Sequence, residues 1–375
     1  MPYPRGRTLF ALTLGAACLL MAAALYLATP PGDILVGFSG PLEGKFSDLG
    51  VEGRNAAQLA IEDINAAGGI DGRRLRLVTA HDGYTQKDAV EADSHLAGQR
   101  VAAVIGHMTS SQQLAVMAVH RSVVYVSPTV STYQLTGMDD NFFRVIADND
   151  ATARDLGLFA ASRGVQTAVA LLDTVNEDFS RTFINAAARG FTSAGGTVVN
   201  IIPFSSSVPS SLLDAAASAA DSGAQAVFVA ASARDTAFVL AQMAQNGFSG
   251  PKFSSTWALT PALIAQGGTA VEDTFFCHPY PTLAELPAHR NFISRFSERF
   301  GWEPSFPGLF AYTAVRLLQR GLEKTQGRTA GLREALKSIR QLDGLCGPIT
   351  LDAYGDAHMP FFISTVRNGA FEPVR

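Results

Sequence analysis

Short runs rich in β-branched residues alternate along the first part of the chain with longer amphipathic segments. The runs at residues 34–38, 75–79 and 101–105 have the pattern of buried strands, and two helical stretches separate them. The first helix carries its apolar side chains on one stripe, and the pair Gly68-Gly69 ends it. This order of strands and helices predicts a parallel sheet covered by helices.

The same alternation starts again after a polar stretch at residues 147–152. Strand-like runs lie on both sides of this stretch, at residues 123–127, 168–172, 198–202 and 226–230. An extended run, two helical stretches and a terminal β-like section follow, at residues 274–277, 286–300, 310–324 and 348–366. The pattern therefore predicts a second α/β unit.

A chain of 375 residues is too long for one ordinary core, which favours two domains of roughly 150 residues each. Apolar residues make up 47% of the chain and charged residues 17%, so we expect extensive buried surface rather than disorder. The formal net charge is −4, and Lys and Arg form no concentrated cluster. Because nucleic-acid binding needs a basic face, that class of function is excluded.

The first 32 residues have the features of an export element. Arg5 and Arg7 precede an uncharged, mostly apolar stretch at residues 8–28, and prolines and a glycine end it. A stretch of this length would span roughly the 30 Å hydrocarbon core, so a cleaved signal peptide and an uncleaved inner-membrane anchor both stay open. The basic residues before the stretch leave the rest of the chain in a periplasmic or other extracytoplasmic compartment.

Two cysteines, Cys277 and Cys346, belong to the exported part. An oxidising compartment permits a disulfide between them. Two small buried hydrophobic side chains are an equal alternative.

Candidate binding residues follow the predicted strands, because ligands in parallel α/β sheets sit beyond the carboxyl ends of the strands. The strand ending at Ile105 runs into a polar loop, and Ser110 or Ser111 stands where the next helical pattern starts. A helix start offers unpaired N–H groups and partial positive charge, which suit a carboxylate without any Arg. Ordinary N-capping by serine is the alternative, and the loop alone favours it.

Two further loops are expected at the same edge of the sheet. Residues 127–132 add hydroxyl groups after the next strand. Residues 40–48 follow the first strand and bring Phe46 to the site, although their spacing fits a plain solvent loop equally well. The sequence thus predicts a cleft lined by hydroxyl groups.

Signatures of catalysis and of metal or cofactor binding are absent from the sequence. Residues 40–46 miss the phosphate-loop pattern by one residue and lack its Ser or Thr. The His and Cys residues have no metal-binding spacing, and no Gly-x-Ser-x-Gly motif occurs. We interpret the lone His107 as a structural histidine, and we expect no catalytic residue, metal or cofactor.

Several longer motifs carry a family resemblance that extends over residues 33–370. They are Gly40-Pro41-Leu42, the stretch at residues 60–72 with Asp63-Ile64-Asn65 and Gly68-Gly69-Ile70, Val104-Ile105-Gly106-His107, and Val126-Ser127-Pro128. On these motifs the chain resembles the leucine/isoleucine/valine-binding family of type I periplasmic solute-binding proteins. The stretch at residues 60–72 is specific to that family.

The resemblance implies an α/β fold of two doubly wound parallel-sheet lobes, joined by a hinge of three crossovers, that close on a ligand. The leader would occupy residues 1–32, the N-lobe 33–148 plus 280–347, and the C-lobe 149–279 plus 348–375. The crossings are expected near residues 147–150, 277–280 and 345–352. Because Cys277 and Cys346 fall at two of these crossings, a disulfide between them gains support.

By position, the resemblance also implies seven ligand-binding residues. Ser110 would bind the ligand carboxylate, Thr129 would offer its backbone carbonyl to an ammonium, and Ser131 would use its hydroxyl. The other four positions line the two sides of the cleft, at Phe46, Phe179, Ser232 and Trp257.

Trp257 is the most informative of these, because it stands where amino-acid-binding relatives place a carboxylate against the ligand's ammonium. Leaving a buried ammonium without an anion is costly. The Trp therefore indicates a cation–π contact, an apolar or aromatic ligand, or a replacement acid such as Asp173 or Asp235. Packing of Trp257 in the core is the alternative.

These observations predict a non-catalytic substrate-binding protein of an ABC importer. It would bind a small amino acid or related carboxylate and present it to the permease subunits. A ligand-sensing ectodomain that reports to a membrane partner is the alternative, which the long apolar leader favours. An exported enzyme is a third class, and no catalytic constellation supports it.

Overall fold

The structure, a computed structural model, describes residues 32–281 and 286–374. The predicted signal peptide or anchor, with its apolar stretch at residues 8–28, lies outside the described residues. Within the described part of the chain, no helix is both long enough and apolar enough to cross a membrane.

The first part of the chain forms a sheet of five parallel strands. Strands β1 to β5 span Ile34–Gly40, Leu75–His81, Val104–Ile105, Tyr125–Ser127 and Phe142–Arg144. Helices α1 to α3 span Ser47–Ala66, Gln86–Gly98 and Ser110–Val119. The strands are ordered β2-β1-β3-β4-β5, and each neighbouring pair is parallel. Their carboxyl ends therefore meet at one edge, where the loops after β1, β3 and β4 come together.

The second part of the chain repeats the alternation of strands and helices. Strands β6 to β10 span Thr167–Asp173, Thr197–Phe204, Ala226–Ala230, Lys252–Ser254 and Thr274–His278. Helices α4 to α8 span Asn149–Ser162, Glu177–Ser193, Pro209–Ala220, Ala233–Gln245 and Pro261–Gly267. Every residue of β8 is buried, as is typical of a central strand covered on both faces.

The last part of the chain contributes to both halves. Helices α9 to α11 span Pro287–Phe300, Phe306–Lys324 and Leu332–Lys337, and strands β11 to β15 span Gln341–Gly344, Gly347–Leu351, Ala357–His358, Phe362–Arg367 and Ala370–Pro373. Strands β14 and β15 join the second sheet, which is ordered β15-β14-β10-β9-β8-β6-β7. Strands β11, β12 and β13 form a third, antiparallel sheet.

We call the part built on the first sheet the N-lobe and the part built on the second sheet the C-lobe. Helix α10 belongs with the N-lobe, because the carboxylate of Glu52 in α1 accepts the backbone N–H groups of Ser305 and Gly308, at 2.7 and 2.8 Å. This buried acid holds the start of α10 against α1. The predicted α/β class, with parallel sheets covered by helices, is confirmed.

The predicted end of the first helix is also confirmed. Helix α1 ends at Ala66, and Gly68 and Gly69 adopt φ angles of +104° and +74°. Residues other than glycine rarely adopt these left-handed backbone angles, and a Cβ on Gly69 would collide with the carbonyl oxygen of Arg73.

The terminal β-like section predicted at residues 348–366 consists of three strands, which belong to two different sheets. The carboxylate of Asp352 accepts the backbone N–H groups of Tyr354, Gly355 and Asp356, at 2.8 to 3.0 Å, and the chain reverses there. Strand β12 pairs with β11, and β13 consequently folds back onto β12, so only β14 and β15 reach the second sheet.

The predicted disulfide is not present in the structure, where Cys277 and Cys346 are both free thiols. Cys277 is buried within β10, opposite Ile363 of β14. Cys346 packs against an N-lobe cluster that includes Leu59 and Phe292. Burial raises the pKa of both thiols to about 12. Cys277 therefore behaves as a small buried hydrophobic group and Cys346 as a partly buried one, in line with the alternative to the disulfide.

Candidate functional site

A cavity of about 20 Å³, which we call the cleft cavity, lies between the two lobes where the carboxyl ends of their parallel strands face each other. It has about the volume needed for one water molecule, so the lobes are nearly in contact around it. The described residues that line it are all uncharged: Leu49, Met108, Ser110, Thr129, Ser131, Ile146, Asn176, Phe179, Thr256, Trp257 and Phe306.

The start of helix α3 forms one wall of the cleft cavity. Ser110 is the first residue of the helix and is buried, and Thr109 at the N-cap makes no side-chain capping bond. Ordinary N-capping by serine, the alternative weighed for this loop, is therefore absent here. Because Ser110 lines the cleft cavity, the start of α3 and its partial positive charge border the cleft without a hydroxyl cap.

The next residue of α3 joins the two lobes. The backbone N–H of Ser111 donates to Oδ1 of Asn176 at 3.2 Å, and the Ser111 hydroxyl accepts the N–H of Asp178 at 3.1 Å. Asn176 and Asp178 follow β6 in the C-lobe. The helix start therefore contacts both lobes directly.

The loop after β4 supplies the two other N-lobe positions implied by the family resemblance. Thr129 lines the cleft cavity, and its hydroxyl donates to the carbonyl of Met108 at 2.8 Å. Ser131 also lines it, and its carbonyl accepts the N–H of Asn149 at 2.7 Å. The structure thus brings Ser110, Thr129 and Ser131 together, although the ligand contacts implied for them stay predictions.

Three aromatic rings meet on the other side of the cleft cavity. Trp257 contacts Phe46 of the N-lobe and Phe179 of the C-lobe, with ring centroids 5.8 and 5.7 Å apart. All three side chains are buried, and Phe46 stands behind Trp257 rather than in the lining itself. These rings supply an apolar surface made from both lobes.

Trp257 faces the cleft with one polar atom unsatisfied. It lies in a short 3₁₀ turn at Thr256–Ala258, its side chain is 4% exposed, and its Nε1–H has no hydrogen-bond partner among the described residues. A buried indole N–H normally finds an acceptor. Plain core packing, the alternative for this residue, leaves that donor without an explanation.

Ser232 is the one implied position that serves another purpose in the structure. It is the N-cap of α7, where its hydroxyl accepts the N–H of Asp235 at 3.2 Å and donates to the Asp235 carboxylate at 2.6 Å. It is not among the residues that line the cleft cavity.

A charged contact between the lobes lies beside the aromatic rings. The ammonium group of Lys45 pairs with the buried carboxylate of Asp235 and donates to the carbonyl of Ser206 at 2.8 Å. Lys45 belongs to the loop between β1 and α1, and both partners belong to the C-lobe. We call this contact the Lys45 bridge.

His107 belongs to the loop between β3 and α3, three residues before Ser110, and it is completely buried. Its ring nitrogens contact the carboxylates of Asp82 and Asp93 at 2.8 and 3.1 Å, and the hydroxyl of Tyr125 donates to Asp93 at 2.5 Å. Burial acts to lower the pKa of His107, but the two carboxylates outweigh it and raise the pKa to about 10. The residue is structural, as the sequence indicated.

The sequence prediction did not include several lining residues. Asn176 could have been found, because it follows the carboxyl end of β6, where a ligand is expected. Phe306 carried no comparable signal, since it starts a late helix that only the fold brings to the cleft. In the described part of the chain, no cluster of His, Cys, Asp or Glu is arranged to hold a metal ion.

Comparison with known proteins agrees with this architecture. A family model described as "Periplasmic binding protein" matches residues 33–370. A Leu/Ile/Val-binding protein homolog from Brucella suis is 22% identical over 361 residues, which cover 94% of this chain and 95% of the relative.

Two solved structures share the fold. A leucine binding protein from Thermotoga maritima has a TM-score of 0.82 and 24% identity, with 91% of this chain and 98% of that chain covered. A solute binding protein of an ABC transporter from R. palustris, in complex with benzoate, has a TM-score of 0.83 and 19% identity, with 92% and 96% covered.

The chain therefore belongs to the periplasmic binding protein family. The relatives are solute-binding proteins rather than enzymes, and the family indicates an extracytoplasmic location.

Proposed function

We propose that the protein is the extracytoplasmic substrate-binding protein of an ABC importer, and that it binds a small amino acid or related carboxylate by closing its lobes. The observation that carries the proposal is the cleft cavity, where the start of α3 and three hydroxyl-bearing residues of the N-lobe face the aromatic side chains of Phe179 and Trp257. Among the relatives, one is named for leucine binding and another holds benzoate.

Closure by the ligand requires contacts from both lobes, because a ligand shifts the equilibrium only through its preference for the closed form. The cleft cavity meets this requirement, since Ser110 and Thr129 come from the N-lobe and Phe179 and Trp257 from the C-lobe. We propose residues 33–148 plus 280–347 and 149–279 plus 348–375 as the two lobes. The closed form would be the one that the permease subunits recognise.

The test is to identify the ligand and then remove its contacts. Native followed by denaturing mass spectrometry of the exported protein would identify a co-purified small molecule, and calorimetry would measure its affinity. Ser110→Ala should weaken binding about tenfold, because a hydrogen bond to a carboxylate is lost. Trp257→Ala should weaken it at least as much, through lost aromatic contact.

The control is Ser162→Ala, at an exposed hydroxyl that donates to Phe159 on α4. It should leave the affinity unchanged. If both Ser110→Ala and Trp257→Ala bind like the unmodified protein, the ligand lies elsewhere and the proposed site is wrong.

A further inference from the structure

The charges around the cleft cavity narrow the class of ligand. An ammonium group buried between the lobes would need an anion or several acceptors, because an uncompensated buried charge is costly. The described lining residues include no Asp or Glu. A nearby acid would therefore have to turn toward the cavity to pair with an ammonium group.

Asp235 and Glu52 are both bound to other groups. Asp235 pairs with Lys45 and accepts the hydroxyl of Ser232 at 2.6 Å. Glu52 accepts two backbone N–H groups at the start of α10. Turning either carboxylate toward a ligand would leave the Lys45 ammonium or a helix start without its partner.

Asp173 and Asp48 are no better placed. One oxygen of Asp173 accepts the N–H groups of Val175 and Ser206 at 3.1 and 3.0 Å, and the other is buried without a partner among the described residues. Burial raises the pKa of Asp173. Asp48 receives the hydroxyl of Thr260 at 3.5 Å, and burial raises its pKa as well. Neither residue lines the cleft cavity.

The polar groups that do face the cavity include two donors from opposite lobes. The N-lobe presents the start of α3 at Ser110, where Thr109 makes no side-chain capping bond and the N–H of Ser111 donates to Asn176. The C-lobe presents Trp257, whose buried Nε1–H has no partner. Both residues line the same cavity, one from each lobe. A carboxylate has enough lone pairs to accept from both sides.

We infer that the ligand is a monocarboxylate with an uncharged, apolar or aromatic body and no ammonium group, and that its carboxylate is shared between the start of α3 and the indole N–H of Trp257. This inference rests on the proposed function and goes further by naming the ligand class. An α-amino acid would place its ammonium beside the rings of Phe179 and Trp257, with no carboxylate among the described lining residues.

The experiment compares acids that differ only in the amino group. Calorimetry on the unmodified protein, freed of bound ligand by unfolding and refolding, would measure 3-phenylpropanoate against L-phenylalanine and 4-methylpentanoate against L-leucine. Benzoate and the uncharged 3-phenylpropanamide complete the panel. At least one amine-free acid should bind at least about a hundredfold more tightly than its amino-acid counterpart. It should also bind at least about a hundredfold more tightly than 3-phenylpropanamide.

Two variants test the assigned groups. Trp257→Phe keeps an aromatic ring but removes the N–H, and it should weaken binding of the best acid about tenfold. Asp173→Asn removes the charge of an acid that could otherwise pair with a ligand ammonium. It should change the affinity for the best acid by less than about threefold. Circular dichroism before titration establishes that both variants are folded.

The outcomes separate this inference from the proposed function. The inference would be overturned if an L-amino acid bound more tightly than its amine-free counterpart, or if Asp173→Asn abolished binding. In either case the proposed function, binding of an amino acid or related carboxylate, would still stand. If Trp257→Phe binds the best acid as tightly as the unmodified protein, the indole N–H does not bind the carboxylate, and that part of the inference is wrong. A protein that binds the amide as well as the acid, or none of the six compounds, would overturn both.

Discussion

At the scale of single residues, the most consequential group outside the cleft cavity is His107. It is completely buried, and its two ring nitrogens contact Asp82 and Asp93. Its backbone N–H donates to the side-chain oxygen of Gln113 in α3, at 2.8 Å. The histidine therefore links the end of β2 and helix α2 to α3, the helix whose start borders the ligand site.

We expect His107→Gln to destabilise the protein by about 3–5 kcal/mol, because two buried carboxylates lose their cation. Urea unfolding followed by circular dichroism would measure the free energy of unfolding. His95→Gln, at an exposed position on α2, is the control and should change it by less than about 0.5 kcal/mol.

The pH dependence of the same variant is a second check on this prediction. The pKa of His107 rises from 6.5 to about 10 on folding, so its contribution to stability is complete below about pH 6.5 and is lost as the pH rises toward 10. The stability difference between the unmodified protein and His107→Gln should therefore shrink across this range. A difference that stays constant from pH 6.5 to 10 would show that the histidine is uncharged in the folded state.

At the scale of elements, the loop between β1 and α1 does more than cover the cleft. Phe46 packs against Trp257, and Lys45 beside it forms the Lys45 bridge to the C-lobe. The same loop thus supplies an aromatic contact and a charged contact between the lobes. Because the Lys45 side chain is 34% exposed, solvent weakens the bridge, and we expect it to favour closure by about 1 kcal/mol or less.

Lys45→Met keeps the length of the side chain and removes its charge. It should shift the ligand-free protein toward the open form and increase the radius of gyration measured by small-angle X-ray scattering. Arg189→Met breaks an ion pair with Asp150 that lies within the C-lobe, so it is the matched control and should leave the scattering curve unchanged. If both variants scatter like the unmodified protein, the Lys45 bridge has no part in closure.

At the scale of the whole molecule, Arg144 holds the third sheet to the N-lobe near a chain crossing. This residue of β5 is fully buried. Its guanidinium contacts Asp356 of the turn before β13 at 2.8 Å and the carbonyl of Thr132 at 3.0 Å. The backbone N–H of Arg144 also donates to Gly355 at 3.2 Å. The late part of the chain is therefore fixed to the N-lobe close to where α4 begins.

Arg144→Met should destabilise the protein by about 3–5 kcal/mol, since it leaves the Asp356 carboxylate buried without its cation. Chemical denaturation would measure the loss. Arg181→Met removes an exposed ion pair with Glu177 and should cost no more than about 0.5 kcal/mol. Equal stability of the two variants would contradict a structural role for Arg144.

Much of this architecture is determined by local patterns in the sequence. The alternation of strand-like and helical segments predicts the α/β class. Apolar side chains that share one face recur about every two residues in a strand and about every 3.6 residues in a helix, so the two kinds of segment can be told apart. Gly68 and Gly69 end α1 because other residues rarely adopt their backbone angles. Ser110, Thr129 and Ser131 could be predicted to converge, since parallel strands bring the loops at their carboxyl ends to one edge.

Only the tertiary structure decided how distant residues pair. Lys45 and Asp235 lie 190 positions apart, and no periodicity connects them. Ser232 fits a cleft position by alignment, yet it caps α7 because Asp235 is within reach of its hydroxyl. Whether Trp257 is core or site depends on the partner of its indole N–H, which the sequence does not contain. The sequence determines local conformation through backbone and solvation preferences, whereas partners and charge balance in the cleft depend on distances that exist only after the chain has folded.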